Sequence, residues 1–324
     1  MKKALICGIT GQDGAYLAQL LLAKGYEVWG TSRDAQVANF SNLERLGIRE
    51  LAQMLSMAQS DFRSVLTTLS RSHPDEIYFL SGQSSVGLSF DQPAESIESV
   101  VYGALNLLEA VRFLGRPVRI YHASSSECFG DVVPGQPATE LTPFRPRSSY
   151  GVAKASAHWL IANDREAYGL YCCNGILFNH ESPLRPARFV TRKIIAAACR
   201  IALGSKERLT FGRMDITRDW GWSPDFVDAM WRMLQPDVPD DYVIATGESN
   251  TLEFFVATAF AQLGLDWRTH VDMDTALFRP SEIAYSTGNS DKAMRGLGWK
   301  ASVRLPELIA NLVQAEQGVL TPNL

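Results

Sequence analysis

The chain of 324 residues is 46% hydrophobic and 20% charged, with a formal net charge of -4. Such a composition fills a large apolar core and supplies no bulk positive charge for a nucleic-acid surface, although a local basic pocket for a phosphate ligand stays open. At roughly 100–200 residues per domain, the length suits two domains or one large α/β unit.

Taken in chain order, the first predicted element is a short strand over Lys3–Gly8 that stops at a glycine. A helix follows over Asp13–Lys24, with Tyr16, Leu17, Leu20 and Leu21 at helical spacing, and then a strand over Glu27–Gly30. Strand, glycine-rich turn, helix and strand make a βαβ unit. The alternation continues through a strand at Glu76–Leu80, a long helix at Ala94–Phe113, a strand at Val118–Ala123, a helix at Ser149–Glu166 and a strand at Tyr171–Phe178. This pattern implies a parallel sheet covered on both faces, with right-handed crossovers. Beyond Phe178 the pattern changes: Asn179–Val190 is dense in Pro, Arg and polar residues and reads as a functional loop. Helices are expected at Thr191–Leu203 and Asp228–Leu234, a strand at Tyr242–Ala245, and two or three helices from Leu252 onward, with the tail Thr321–Leu324 fraying. The expected fold class is α/β: a doubly wound parallel (Rossmann) sheet from residues 1–178 plus about 213–245, and a smaller, partly interleaved α/β substrate domain from about 179–212 plus 246–324.

The five cysteines, Cys7, Cys128, Cys172, Cys173 and Cys199, include no CxxC pair and indicate neither a disulfide framework nor a zinc site. Ala4–Cys7 is too short for the apolar part of a signal peptide, and no apolar run approaches a membrane span. A reducing cytoplasm is the expected compartment.

Gly8-Ile9-Thr10-Gly11-Gln12-Asp13-Gly14 carries glycines at GxxGxxG spacing, after a strand and opening a helix. Glycine permits the tight turn and the close approach of backbone to a diphosphate, where the free N–H groups and dipole of a helix start favour anions. The alternative is a plain strand-to-helix turn. At the end of the second strand, Thr31 stands where an acid would hold the ribose 2′-OH of NAD, and Arg33 follows where it can pair with a 2′-phosphate. NADP is therefore the expected cofactor, with NAD, held by Asp34, as the other possibility.

Tyr150 and Lys154 lie four residues apart at the start of a helix and so share one face. A nearby ammonium lowers a phenol's pKa and makes it available as a base. Ser125 follows the strand Val118–Ala123, in the crevice that strand ends form in a parallel sheet. An isolated Tyr-xxx-Lys pair is an ordinary helix face; the upstream glycine turn and the serine at a strand end turn it into a candidate catalytic group.

Together these motifs resemble the extended short-chain dehydrogenase/reductase family. Longer stretches resemble its GDP-mannose 4,6-dehydratase branch: Gly8–Leu17, Ala123–Glu127, Thr142–Ser148, Gly175–Pro183, Phe189–Lys193, Arg218–Gly221 and Phe278–Pro280. The resemblance covers most of the chain apart from about residues 34–70. It implies that Ser125, Tyr150 and Lys154 oxidise C4 of a GDP-sugar. It also implies that Glu127 takes the C5 proton and helps expel the C6 hydroxyl, leaving a 4-keto-6-deoxy sugar. Gly8, Thr10, Gly11, Gln12, Asp13, Gly14, Arg33, Tyr150 and Lys154 would bind the cofactor. Asn179, Arg192, Lys193, Arg218, Arg279 and Glu282 would bind the nucleotide sugar, Glu282 at its ribose. His180 has no paired ligand and is read as structural, and no metal is expected.

Several positions depart from the branch. Its paired-arginine loop, tied to cofactor binding and tetramer contacts, is here Arg33-Asp34-Ala35-Gln36, with one arginine. A homodimer is thus the expected assembly, with the tetramer open. The acid expected near residue 56 to hold adenine is replaced in Leu55-Ser56-Met57. A GDP-heptose dehydratase, a 4-keto-sugar reductase or epimerase, and a non-catalytic cofactor-binding sensor are the rival readings. Glu127 argues against the reductase or epimerase, because elimination needs a second acid/base, and the complete Ser125, Tyr150 and Lys154 argue against the sensor.

Overall fold

The computed structural model describes residues 1–320; the expectation for the tail lies outside them. Seven strands form one parallel sheet: β1 (Lys3–Cys7), β2 (Glu27–Ser32), β3 (Gln53–Ser56), β4 (Glu76–Phe79), β5 (Arg119–Ser125), β6 (Cys172–Leu177) and, much later in the chain, β10 (Tyr242–Ile244). Their order is β10-β6-β5-β4-β1-β2-β3. The chain winds outward in one direction from β1 and then returns to add β4 on its other side. The ligand crevice of such a sheet lies at that reversal, beyond the strand carboxyl ends.

Alternation along each strand loads the two faces. Ala4, Ile6, Tyr78, Tyr121 and Cys173 pack beneath the helices Gln12–Ala23 and Ser223–Met233. Leu5, Cys7, Ile77, Phe79, Ile120 and Cys172 pack beneath Phe62–Ser72, Gly103–Leu114 and Ser149–Tyr168. The neighbours Cys172 and Cys173 thus serve opposite faces, and all five thiols are buried and free. A strand buried on both sides reads as a mostly apolar run, which is why β1, β4, β5 and β6 were visible in sequence, whereas β3, short and with polar, exposed ends at the sheet edge, was not expected.

A second core gathers Ile194, Ile195, Trp220, Phe255, Phe260, Leu308 and Leu312 from the helices Val190–Ala202, Leu252–Ala261 and Leu305–Leu320 and their neighbours. Two small sheets flank it. In one, β7 (Asn179–Glu181), β9 (Thr217–Trp222) and β11 (Ser249–Thr251) run in the order β11-β9-β7; in the other, β8 (Leu209–Phe211) pairs with β12 (Val271–Met273).

Two differences from the sequence reading matter for the site. The expected loop from Asn179 begins as the strand β7, paired with β9. The expected single helix Ala94–Phe113 is interrupted by a π-helical turn at Glu98–Tyr102. There the Ser99 carbonyl accepts from Gln59 Nε2 at 2.7 Å, and the Ser99 hydroxyl accepts from the Gln83 backbone N–H at 3.0 Å. Such a turn lodges in a helix where side chains claim its backbone groups, often beside a functional site.

Candidate active site

A cleft of about 920 Å³ opens at the carboxyl ends of β1, β2, β3 and β4. Every residue expected in the glycine turn, Gly8, Thr10, Gly11, Gln12, Asp13 and Gly14, lines it, as does Arg33. The turn is built by exclusion of Cβ atoms. Gly8 has φ +89°, the left-handed region, and a Cβ on Gly14 would stand 2.3 Å from the Gly8 carbonyl oxygen. The helix that begins at Gln12 has no side-chain cap, so its first N–H groups point into the cleft unpaired by any side chain. A cleft of this size and a cradle of this geometry fit a dinucleotide.

Gln12 and Asp13 also face inward. Asp13 accepts from Ser223 Oγ at 2.8 Å and pairs with His180 Nε2 at 2.8 Å, while Gln12 donates to the His180 carbonyl and accepts from Ser182. Burial pushes the Asp13 carboxyl up, but the His180 imidazole, with the Ser223 hydroxyl and Arg185, more than offsets this and holds it at about 2. His180 stacks on Phe226 with ring centroids 4.5 Å apart. This network ties the glycine turn to β7 and to the helix Ser223–Met233.

Among the cleft residues that the sequence did not single out are Arg185, Arg188 and Phe189. Both guanidiniums lie against the Phe189 ring, at 3.8 and 5.2 Å. The signal was the arginine-rich stretch after Phe178, which marked the loop without marking the residues. Ser56 turns away from the cleft to accept from the Ala35 N–H at 2.9 Å; Met57, Ala58, Gln59 and Ser60 line the cleft instead.

Ser125, Glu127, Tyr150 and Lys154 lie outside that lining and form their own group at the end of β5. The strand runs two residues further than expected, so Ser125 is its last residue. Its hydroxyl accepts from the Glu127 N–H at 3.2 Å and begins the one-turn helix Ser126–Cys128. Ser148 caps the helix Ser149–Tyr168 by accepting from Gly151 N–H at 3.0 Å. A Cβ on Gly151 would meet the Glu127 carbonyl at 2.8 Å, so the glycine after Tyr150 lets the Glu127 turn pack directly on the start of the tyrosine helix. One turn deeper, Lys154 donates to the Ala123 carbonyl at 2.8 Å, its Nζ 5.9 Å from the centre of the Tyr150 ring.

Burial pushes the Tyr150 phenol well above its ordinary range, and the Ser125 hydroxyl pulls it partly back. Desolvation dominates, and Ser125, Glu127, Cys128 and Arg185 act on the phenol rather than the Lys154 ammonium expected from sequence. Burial also lowers Lys154 to about 8. Glu127 is raised by burial against the opposing pull of Arg218 and Arg279.

Those arginines belong to a charged cluster. Glu282 accepts from Arg218 Nη2 at 2.9 Å and from Arg279 Nη1 at 3.1 Å, and Arg218 is buried while also donating to the Thr217 and Ile283 carbonyls. Arg192 stands elsewhere: it is paired with Glu316 of the last helix at 2.8 Å, its Nε and Nη1 buried without partners. Lys193 is exposed one residue on, and successive helical positions point about 100° apart, so the two cannot serve one ligand face. Asn179 is half-buried at the start of β7. Among the described residues no cluster of three His, Cys, Asp or Glu could hold a metal, and no helix is long and apolar enough to cross a membrane.

The family model described as GDP-mannose 4,6 dehydratase matches residues 5–312. GDP-mannose 4,6 dehydratase 1 of Arabidopsis thaliana is 46% identical over 325 residues, covering 97% of this chain and 90% of its own length. GDP-mannose 4,6-dehydratase of Vibrio cholerae is 39% identical, covering 97% of this chain and 94% of its own. Among solved structures, DesIV of Streptomyces venezuelae, a dTDP-glucose 4,6-dehydratase with NAD and TYD bound, superposes with a TM-score of 0.86 at 21% identity, covering 97% of this chain and 96% of its own. RMD of Pseudomonas aeruginosa complexed with NADPH gives a TM-score of 0.81 at 21% identity, covering 98% and 100%. At these identities the structures show a shared fold.

Proposed function

The chain belongs to the GDP-mannose 4,6-dehydratase family, and on that premise we propose that it converts GDP-mannose to GDP-4-keto-6-deoxymannose, with NADP bound in the glycine-turn cleft. The observation that carries the reading is the packing of the Glu127 turn onto Gly151, which sets a carboxylic acid/base beside the Ser125–Tyr150–Lys154 group. Hydride transfer alone uses the tyrosine group; loss of water needs the second acid/base.

NADP, which the glycine turn and Arg33 would hold, would supply hydride acceptance at C4 and hydride return at C6. Tyr150 takes the proton of the sugar 4-OH, and Ser125 hydrogen-bonds the same oxygen. A phenol buried this way gives up its proton only near a cation, and Lys154, still mostly protonated at neutral pH, lies one helical turn away. The resulting 4-keto group acidifies C5. Glu127, raised above the ordinary carboxyl range by burial, takes the C5 proton and passes one to the departing C6 hydroxyl, which leaves as water. Arg218, Arg279 and Lys193 hold the diphosphate, with Glu282 and Asn179 beside it; Arg192 instead braces the last helix through Glu316. Exposed Leu105 and Phe113 on one helix, with Val152 and Trp159 on its neighbour, support a homodimer through this face. Buried free thiols suit a reducing compartment such as the cytoplasm.

Incubation with GDP-mannose and NADP⁺, followed by mass analysis of the sugar nucleotide, tests the reading. The expected product is lighter than the substrate by one water. Oxidation at C4 without loss of water would move the assignment to an epimerase or reductase.

A further inference from the structure

Resting on the reading of Arg218 and Arg279 as the diphosphate site, we propose that Glu282 is an internal counter-anion that occupies this site in the free protein and must leave it when the substrate's diphosphate arrives. Its Oε1 sits in the fork between the two guanidiniums, 2.9 Å from Arg218 and 3.1 Å from Arg279. An oxygen held between two guanidiniums is what a phosphate oxygen would be.

The physical need is clear. Arg218 keeps 6% of its side-chain exposure, and a buried guanidinium without a counter-charge is strongly unfavourable. Glu282 meets that need while no ligand is bound. The charges then work against an incoming anion. Glu282, Glu127 and Asp131 are all within electrostatic reach of Arg218, and Arg213, itself paired with Asp215, is in reach of Glu282 and Asp131. A diphosphate entering with Glu282 in place would meet that carboxylate's charge directly in the fork between the two guanidiniums.

The backbone allows an exchange. Just after Glu282 the chain is anchored: Asp131 accepts from Ala284 N–H at 2.6 Å, and the Ala284 carbonyl accepts from Thr217 N–H at 2.8 Å. Just before it, residues 272–280 are exposed throughout, Arg279 among them. The carboxylate thus stands where a fixed segment meets an open one. It can turn out of the fork without disturbing β9, and once released it is free to serve a neighbouring hydroxyl of the same ligand. The exchange rejects small monoanions, which cannot replace a carboxylate that already bridges both arginines, and admits a ligand with enough charge to displace it.

Inorganic pyrophosphate is the probe, because it carries the diphosphate charge and no ribose. Its affinity for the full-length protein is measured by competition with GDP. Glu282→Gln is expected to bind pyrophosphate about 10-fold tighter than the wild type, the scale of removing one like charge from a partly shielded site. Glu282→Asp, too short to bridge both guanidiniums, carries the same test if the glutamine variant does not accumulate, with a smaller gain. Unchanged or weaker pyrophosphate binding in these variants overturns the proposal. That is the result expected of a carboxylate that serves the ribose alone, which would lower GDP affinity only. Wild-type pyrophosphate affinity that is indifferent to Arg218→Ala and Arg279→Ala would overturn the diphosphate site itself, and the proposal with it.

Discussion

The glycine turn and the Arg218–Arg279–Glu282 cluster both prepare the protein for an anion, by opposite means. The turn uses backbone: missing Cβ atoms and the unpaired N–H groups of a helix start, held by strands buried on both faces. The cluster uses side-chain charges from β9 and from a segment more than sixty residues later in the chain, and it carries its own counter-ion. A site made of backbone dipoles can stand empty because the dipoles are already solvated or weakly charged. A site made of full charges cannot, since burying an unpaired guanidinium costs several kcal/mol. The first is rigid and shows little dependence on its neighbours; the second is coupled to them, including Glu127, proposed as the acid/base of the elimination.

The sharpest test of the coupled side is Glu127→Gln. Product formation should fall by about 10²–10⁴-fold, the range of a general acid/base. C4 oxidation should survive, seen as absorbance of the reduced nicotinamide on adding GDP-mannose, with no deuterium entering C5 in heavy water. Full dehydration by this variant would remove Glu127 from the chemistry.

On the rigid side, Tyr150→Phe should lower C4 oxidation by at least about 10²-fold while cofactor affinity stays near wild type. Turnover close to wild type would mean the phenol is not the base. Gly14→Ala should be costly for a reason no neighbour can relieve. Its Cβ would meet backbone atoms of Gly8 and Ile9 at 2.3 and 2.7 Å, so a loss of about 2–3 kcal/mol in chemical denaturation is expected, with weaker cofactor binding. An unaltered midpoint would show that the turn yields more easily than its contacts suggest.

Asp13 joins the two halves, and pH reads its share. Its carboxyl is held at about 2 in the fold against an ordinary value of 3.8, so its contribution is present above pH about 4 and is lost as pH falls toward 2. The wild type should exceed Asp13→Asn by about 1–2 kcal/mol at pH about 5, where His180 is charged, and the two should converge on acidification. A constant difference across that window would mean that shape, not charge, decides. The smallest effect is expected at Arg33, whose side chain is 84% exposed and paired with Glu95 at 3.4 Å. Arg33→Ala should weaken NADP⁺ about 10-fold and leave NAD⁺ unchanged, by titration of both. Wild-type preference for NAD⁺ would assign Asp34 to the ribose instead.

Much of this was legible in the residues. The strands β1 and β4 are short, largely apolar runs ended by glycine or serine, β5 and β6 are mostly apolar with a buried His122 and Asn174 inside them, and helical periodicity marks the helices between, so local pattern and final burial agree there. The glycine spacing, Tyr150 with Lys154, and Ser125 at a strand end follow from short-range geometry, which sequence spacing encodes directly. What depends on long-range pairing was not legible. The strand β7 forms only because β9 lies beside it, and the π-helical turn at Glu98–Tyr102 only because Gln59 and Gln83 claim Ser99. Arg192 and Arg218 look alike as charged residues. Tertiary packing gives one to Glu316 and sets the other opposite Glu282, beside Glu127. It likewise decided that burial sets the proton affinity of Tyr150. Charge partners and desolvation are properties of a three-dimensional neighbourhood, and residue spacing along the chain carries no record of them.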